Sequence, residues 1–151
     1  MTEWTHPELE RWASRGTMIE VNARATTHRV FVVDVPGDEA TTEPLVVIHG
    51  FPTSSFDFAH VVDELSRNRR VVVMDLLGFG LSAKPDQRYS IELQADVAAG
   101  VLPRLGIERF ALLTHDMGDT VGGELLARTI DGSWPATVTR RIVTNGSIYI
   151  D

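Results

Sequence analysis

Three short turns in this 151-residue sequence combine polar side chains with glycine, and each follows a run of apolar residues. The turns are His49-Gly50-Phe51, Asp75 to Gly78 and Thr114 to Gly118, after the runs at 45–48, 71–74 and 110–113. In an open α/β sheet, ligands bind beyond the carboxyl ends of the strands. These three turns are therefore the first candidates for a functional site.

Asp116 stands where the third apolar run should pass abruptly into a helix, with Thr114 two residues before it and Gly118 two residues after it. A tight corner of this kind presents one side chain at the edge of the sheet. A carboxylate held there can attack an electrophilic carbon and form an ester. The N–H groups at the start of the following helix would stabilise negative charge at the same place. The pattern predicts a nucleophile, with an ordinary helix N-cap as the alternative.

The other candidate residues point to less specific roles. His49, taken alone, is more typical of a hydrogen-bonded structural histidine than of a catalyst. The glycine turn at 78–80 lacks the GxGxxG spacing, and the helix directly after it, that a dinucleotide site needs. The sequence contains no cysteine, and no residues have metal-ligand spacing. We therefore expect neither a metal nor an organic cofactor.

Composition and charge exclude several classes of protein. Hydrophobic residues make up 43% of the chain and charged residues 23%, which is typical of a globular domain and not of a disordered chain. The net charge of −7 disfavours nucleic acid and anionic membranes as partners. No apolar run approaches the length of a membrane span, and the N-terminus lacks the apolar region of a signal peptide. The expected location is the cytoplasm.

The hydrophobic pattern predicts the elements that position the turns. The apolar runs at 45–48, 71–74, 110–113 and 141–143 do not alternate in polarity, which is typical of strands covered on both faces, as in a parallel sheet. Apolar residues at helical spacing lie between the runs. They predict helices behind Ser54 and Asp57, behind Ser90, and over 121–130, and Pro103 should kink or end the second one.

The N-terminal part has a different pattern. Pro7 and Gly16 fit the start and the end of a short helix. Residues 19–24 and 28–35 are rich in β-branched side chains and predict an antiparallel hairpin, followed by a polar loop over 36–44. The prediction is one α/β domain with a mostly parallel sheet. It divides into a leader and helix (1–18), a hairpin and loop (19–44) and parallel α/β units (45–151).

Three motifs in this order resemble the α/β-hydrolase fold family, over about Leu45 to Gly146: HGFPTSSFDF, DLLGFGLSAKP and LLTHDMGDTVGGEL. The closest likeness is to the branch with an aspartate nucleophile, which contains epoxide hydrolases and haloalkane dehalogenases. The resemblance implies that Asp116 is the nucleophile and that the backbone N–H groups of Phe51 and Met117 form an oxyanion hole.

The same resemblance gives the neighbouring residues supporting roles. His49 and Gly50 would shape the loop that carries the first oxyanion donor. Asp75 and Gly78 would support the adjoining turn. His115, next to the nucleophile, should point its ring away into the flank of the sheet, so we do not predict it to be the catalytic base.

The substrate that the resemblance implies is a small apolar electrophile, and an epoxide fits best. Relatives that release halide use side-chain N–H donors at the positions of Phe51 and Met117, and neither of these side chains can donate. Epoxide opening needs an acid, which in that family is a tyrosine of the cap domain, but Tyr89 and Tyr149 fall in no recognisable cap. Three alternatives remain: a haloalkane dehalogenase-like enzyme, a serine hydrolase (although no Gly-x-Ser-x-Gly turn exists) and a non-catalytic binding module.

The position of the histidines predicts an incomplete site. In this fold the chain order is nucleophile, acid, histidine. The histidines here are at 6, 28, 49, 60 and 115, all before Asp116, and the chain stops just past the apolar run at 141–143. We expect a partial core domain that lacks the cap, the last strands and the catalytic histidine, and that does not turn over. An apolar sheet edge beside 141–146 would then be exposed and open to self-association.

Overall fold

One six-stranded mixed sheet organises the computed structural model, which describes residues 6–37 and 43–146. In chain order, the elements are α1 (Pro7–Arg15), β1 (Gly16–Ala23), β2 (Thr26–Val35), β3 (Leu45–Ile48), a 3-10 helix (Ser55–Phe58), α2 (Val62–Leu65), β4 (Val71–Met74), α3 (Ile91–Arg104), β5 (Arg109–His115), α4 (Met117–Asp131) and β6 (Thr137–Thr144). The strand order across the sheet is β1-β2-β4-β3-β5-β6.

The strand directions confirm a mostly parallel sheet with an N-terminal antiparallel hairpin. β1 pairs with β2, and β2 with β4, in antiparallel fashion, whereas β4, β3, β5 and β6 run parallel to one another. The hairpin is longer than predicted, because β1 begins at Gly16, directly after α1, and pairs from there with Val33. Of the predicted loop over 36–44, residues 38–42 lie outside the described ranges.

The central strands are buried on both faces, which explains their continuous apolar runs. Val46 and Ile48 of β3 belong to the core cluster that includes α3 and α4. Leu45 and Val47, which point to the opposite face, pack in a second cluster with Trp12 of α1. Successive side chains of a strand point to opposite faces, so an apolar residue is needed at every position.

The prediction of burial on both faces is wrong for the fourth apolar run. Within the described residues, β6 pairs only with β5, and Ile142 and Val143 are 47% and 44% exposed. A strand with a neighbour on one side leaves its outer edge open. Among the described residues, β6 is therefore an edge strand, and the exposed Ile142 and Val143 lie on it.

The helices follow their predicted positions with two differences. Ser54 caps the first segment as expected, but the segment is a 3-10 helix followed by the one-turn α2. α3 ends one residue after Pro103, as predicted. In α4, Ile130 is 77% exposed and lies outside the core. No helix among the described residues is long and apolar enough to span a membrane.

The start of α4 lies unusually close to β3. A Cβ atom at Gly118 would be 2.6 Å from the carbonyl oxygens of both Ile48 and His49. These contacts are with backbone, which cannot rotate away as a side chain would. Glycine at 118 is therefore required for the helix to begin directly after β5 and beside the end of β3.

Two alanine substitutions in α4 test this requirement. We expect Gly118→Ala to lower the free energy of unfolding by about 1–3 kcal/mol, since the added methyl group overpacks the helix against β3. Gly123→Ala should raise it by about 0.5–1 kcal/mol, because the nearest atoms to its Cβ would be 3.7 Å away and alanine favours helix. Urea unfolding followed by circular dichroism measures both. Equal effects of the two variants would contradict the close packing.

Candidate active site

Asp116 forms a strained corner between β5 and α4. Its backbone has φ 51° and ψ −120°, a conformation that side-chain-bearing residues rarely adopt and that costs about 1–3 kcal/mol. The backbone is held in place by hydrogen bonds from the Asp116 N–H to the Thr144 carbonyl and from the Asp119 N–H to the Asp116 carbonyl. The Asp116 side chain makes no capping hydrogen bond to α4. This geometry disfavours the alternative interpretation as an ordinary N-cap.

The carboxylate of Asp116 accepts a backbone hydrogen bond from the loop after β3 and lies at the start of α4. The Phe51 N–H donates to its Oδ1 at 2.8 Å. This donor, then the Met117 N–H, and to a smaller extent the nearby His115, hold the pKa of Asp116 below its ordinary value. Hydrogen bonds to the charged form of an acid favour that form. The two N–H groups that the sequence assigned to an oxyanion hole thus converge on the predicted nucleophile.

Gly50 lets the loop after β3 approach this corner. A Cβ atom at Gly50 would lie 2.5 Å from the Asp116 Cβ and 3.0 Å from its Oδ1. Any larger residue would push the loop away and lengthen the hydrogen bond from the Phe51 N–H. Phe51 itself directs its side chain outward and is 64% exposed.

His49 fixes the same loop from inside the protein. Its Nε2 accepts a hydrogen bond from the Leu76 N–H at 2.9 Å, so Nδ1 carries the proton and donates to the Gly50 carbonyl at 2.8 Å. Burial lowers the pKa of His49, which keeps the ring neutral as this arrangement requires. The contacts agree with the predicted role of shaping the loop.

Asp75 braces the adjoining turn. Its carboxylate is buried and accepts hydrogen bonds from the Ser55 N–H at 2.7 Å and from the Leu81 N–H at 2.6 Å. The Trp12 side chain of α1 donates to the Ser55 Oγ at 3.1 Å. This network connects the N-terminal helix to the turn after β4.

Gly78 has a positive φ of 91°, and its N–H donates to the Ala83 carbonyl. The ring of Tyr89 lies 3.1 Å from the position that a Cβ at Gly78 would occupy. A side chain at 78 would be both strained and crowded. The predicted supporting role of this glycine therefore has a physical basis in the turn and in the packing of Tyr89.

His115 is adjacent to Asp116 but directs its ring towards β6. Its Nδ1 lies 3.2 Å from the Thr144 Oγ1. This orientation agrees with the prediction that the ring points into the flank of the sheet.

The structure also contains site residues that the sequence reasoning did not predict. The Asp119 side chain accepts a hydrogen bond from the Thr114 hydroxyl, and its carbonyl accepts one from the Arg141 guanidinium. Trp12 and Tyr89 line or support the turns from distant parts of the chain. For Asp119, the position three residues after Asp116 in the same motif is a sequence signal; for the other two, the fold alone reveals the role.

The structure thus brings together the loop 49–51, Asp116 and Met117, with the turn 75–82 as support. Among residues 6–37 and 43–146, no group of three or more histidine, aspartate or glutamate side chains is arranged to hold a metal ion. The arrangement can hold a carboxylate in its charged form beside two backbone donors.

Comparison with known proteins places this geometry in a family. The sequence model of the alpha/beta hydrolase fold matches residues 43–146, more than half of the chain. Hydrolase LipZ of Mycobacterium tuberculosis is 38% identical over 148 residues, which cover 97% of this chain and 49% of LipZ. The human mesoderm-specific transcript homolog protein is also 38% identical, over 95% of this chain and 43% of that protein.

One further relative and one solved structure are also similar to this chain. A haloalkane dehalogenase of Agrobacterium fabrum is 33% identical over 88 residues, 58% of this chain and 29% of that enzyme. The crystal structure of Cfl2 from Burkholderia cenocepacia superposes with a TM-score of 0.72 at 28% identity, over 87% of this chain and 42% of that one. The chain spans about half the length, or less, of the relatives it matches.

The pKa of Asp116 provides a test of the two backbone donors. We expect a carboxyl ¹³C NMR titration of the folded chain to give a pKa below the ordinary value of 3.8. Because the folded state favours the charged form of Asp116, ionised Asp116 stabilises the fold at pH values above its unfolded-state pKa. This stabilisation is lost as the pH falls through the folded-state pKa. In Gly50→Ala, the displaced loop should raise the Asp116 pKa towards 3.8.

Asp131 is the internal control for this titration. Its pKa is also lowered, by Ser133 at the far end of α4, and should not change in Gly50→Ala. A shift of both groups in the variant would indicate general unfolding. An Asp116 pKa at or above the ordinary value in the unchanged chain would contradict the geometry.

Proposed function

Because this chain belongs to the alpha/beta hydrolase fold family, we propose that it carries the nucleophile and the oxyanion hole of a hydrolase that acts through an ester of Asp116. One observation above all supports the proposal. The Phe51 N–H donates to the carboxylate of Asp116, and the Met117 N–H also lowers the pKa of this group. The substrate class that fits best is an apolar epoxide.

In the proposed first step, the ionised Asp116 attacks an epoxide carbon with Oδ2, the oxygen that lacks the Phe51 contact. The ring carbon–oxygen bond breaks, and the ring oxygen takes a proton from water. The product is an ester between Asp116 and a substrate that now carries a hydroxyl group. The low pKa of Asp116 keeps the nucleophile charged at neutral pH.

In the second step, water loses a proton to a base and attacks the carbonyl carbon of the ester, and negative charge develops on the remaining oxygen. The bond between the carbonyl carbon and the substrate oxygen then breaks, that oxygen takes up the proton, and the diol leaves Asp116 as a carboxylate. For an ester through Oδ2, the oxygen that becomes charged is Oδ1, which the Phe51 N–H contacts at 2.8 Å. The Phe51 N–H, which stabilises the carboxylate, would therefore also stabilise the oxyanion. Loss of one such donor typically lowers the rate by a factor of about 10²–10³.

Attack by water also requires a general base, usually a histidine. The last histidine of this sequence is His115, whose ring is hydrogen-bonded to Thr144, and both ring nitrogens of His49 are engaged. We therefore propose that this chain alone forms the ester but does not hydrolyse it. In the whole protein, a base from outside these 151 residues would complete turnover.

The choice of an epoxide over a haloalkane depends on the leaving group. Halide release benefits from N–H donors that hold the departing ion, and the side chains of Phe51 and Met117 offer none. In an epoxide, the leaving oxygen stays attached to the substrate and needs only a proton. The similarity to a haloalkane dehalogenase keeps halide release as the alternative reaction at the same carboxylate.

Intact-mass analysis tests the nucleophile. After incubation with styrene oxide, we expect the chain to gain the mass of one substrate molecule and to retain it, because the base for hydrolysis is missing. Asp116→Asn should abolish the adduct. Asp131→Asn should not, because Asp131, whose pKa is lowered as well, lies at the far end of α4 and not at the corner between β5 and α4.

Each outcome of the mass experiment is informative. Adduct formation on Asp116→Asn would overturn the role of this residue. Continuous formation of the diol without a persistent adduct, abolished in Asp116→Asn, would overturn the proposal that the chain alone cannot hydrolyse the ester.

The exposed edge of β6 supports a second candidate, a non-catalytic interaction module that self-associates. Among the described residues, β6 is an edge strand that carries two exposed apolar side chains, Ile142 on one face of the sheet and Val143 on the other, and such edges pair with other strands. A single charge on the edge is enough to disfavour strand pairing. Copies of the chain would join their sheets along β6.

Sedimentation velocity tests this association. We expect the chain to form concentration-dependent dimers, and Val143→Lys to sediment as a monomer because the charge would be buried at the paired edge. Ile130→Lys replaces an apolar residue of α4 that is more exposed than Val143, and it should leave the dimer unchanged. A monomer at all concentrations of the unchanged chain would contradict the interaction module.

A further inference from the structure

Asp119 is a buried acid that takes no part in the proposed reaction. It lies in the first turn of α4, three residues after the nucleophile, and is only 6% exposed. Burial of a carboxylate is unfavourable unless hydrogen bonds compensate for the lost hydration. An acid at this position therefore requires a physical explanation, which its contacts with two neighbouring strands supply.

The Asp119 carboxylate joins α4 to β5. Its Oδ1 accepts a hydrogen bond from the hydroxyl of Thr114, a fully buried residue. The methyl group of Thr114 packs under α4, where a Cβ atom at Gly122 would be 2.7 Å from it. Thr114 thus contacts the helix through both branches of its side chain.

Asp119 also joins α4 to the end of β6. The Arg141 guanidinium of β6 donates a hydrogen bond to the Asp119 carbonyl. Just past β6 the chain bends at Asn145, which has a positive φ of 54°. The next residue, Gly146, lies so close to the Asp119 Oδ2 that a Cβ atom there would overlap this oxygen. The carboxylate therefore packs directly against the backbone beyond β6.

This junction carries a cost in stability. The Asp119 Oδ2 and the Arg141 Nε are buried, and neither has a hydrogen-bond partner within residues 6–37 and 43–146. A buried polar atom without a partner is destabilising. Local costs of this kind are expected at functional sites, where positioning takes precedence over stability.

The two elements that Asp119 connects hold the backbone of the nucleophile. The Asp116 N–H donates to the Thr144 carbonyl of β6 at 3.1 Å, and the Asp116 carbonyl accepts from the Asp119 N–H of α4 at 2.9 Å. The strained conformation of Asp116 persists only while both sides of the corner stay fixed. A shift between β6 and the first turn of α4 would release it.

We propose that Asp119 is a positioning residue for the nucleophile: its carboxylate fixes the end of β6 and Thr114 against α4, and thereby holds the corner at Asp116. The inference rests on the proposed function and adds a second acid to the site, one that acts through the backbone and does not touch the substrate. Supporting residues of this kind determine whether a reactive group keeps its productive geometry.

The first experiment measures the corner without chemistry. In Asp119→Ala, we expect a carboxyl ¹³C NMR titration to give an Asp116 pKa closer to the ordinary value of 3.8 than in the unchanged chain. The reason is that a relaxed corner lengthens the hydrogen bond from the Phe51 N–H, which favours the charged form. An unchanged Asp116 pKa would overturn the positioning role.

Two threonine variants make the same chemical change at opposite ends of α4. Thr114→Val removes the donor to Asp119 with little change in shape, and should move the Asp116 pKa in the same direction as Asp119→Ala. Thr129→Val is the matched control: it removes the acceptor of the Val138 N–H at the start of β6 and should leave the Asp116 pKa unchanged. Equal shifts in the two variants would overturn the positioning role.

The second experiment measures the rate of ester formation with styrene oxide by intact mass. Asp119→Ala should lower this rate by a factor of about 10–100, because a small misplacement of a reacting group has effects of this size. Asp119→Asn should retain most of the rate, since its amide oxygen still accepts from the Thr114 hydroxyl. An Asn variant as slow as the Ala variant would overturn the role of this hydrogen bond.

Gly146→Ala tests the contact beyond β6. The added methyl group would displace the Asp119 carboxylate and should lower the rate of ester formation about as much as Asp119→Ala. In the Asp119→Ala background the space is free, so the same substitution should have no further effect. Additive effects of the two substitutions would overturn the contact on which the inference depends.

The two measurements separate failure of this inference from failure of the proposed function. If the unchanged chain forms no ester but Thr114→Val shifts the Asp116 pKa, the nucleophile is overturned and the positioning of its carboxylate stands. If the ester forms at the same rate in every variant, the positioning role alone is overturned. Should Asp119→Ala not fold, Thr114→Val and Asp119→Asn decide between these outcomes.

Discussion

The close approach of three backbone segments at Asp116 is the constraint on which the site depends. The loop after β3, the end of β5 and the start of α4 meet with no room for side chains at Gly50 and Gly118. This packing forces Asp116 into its strained backbone conformation and brings the Phe51 N–H to its carboxylate. The strain, about 1–3 kcal/mol, is tolerated because neighbouring strands and the helix fix the corner on every side.

The position of the Phe51 N–H is determined from deep inside the protein. His49 links the loop after β3 to the turn after β4 through Gly50 and Leu76, and only a neutral ring with its proton on Nδ1 makes both bonds. Asp75 then ties that turn to Ser55, which Trp12 holds from the other face of the sheet. The N-terminal helix therefore contributes to the geometry of a site that it does not touch.

The sequence predicts the parts of this structure that depend on local pattern. The runs without alternation identify the central strands, because both faces of each are buried, and the small residues around Asp116 identify the corner. The open edge at Ile142 was predicted from the motif order, while the apolar run containing it suggested burial. The hydrophobic pattern cannot distinguish a buried central strand from a strand at the edge of the sheet, because exposure depends on which elements lie beside the strand.

What the sequence could not reveal depends on contacts between distant segments. The bond from the Ser55 N–H to Asp75 joins segments 20 residues apart, and local propensity does not contain such a tertiary contact.

The placement of the oxyanion donors has a consequence for the substrate. If a serine attacked from this corner, the donors would have to face a carbonyl group of the substrate. Here they act on Asp116 itself, so in the proposed mechanism the carbonyl that becomes an oxyanion belongs to the protein. The substrate then needs to supply only an electrophilic carbon and a leaving atom. In this mechanism, the polar contacts of hydrolysis are made by the enzyme to its own side chain.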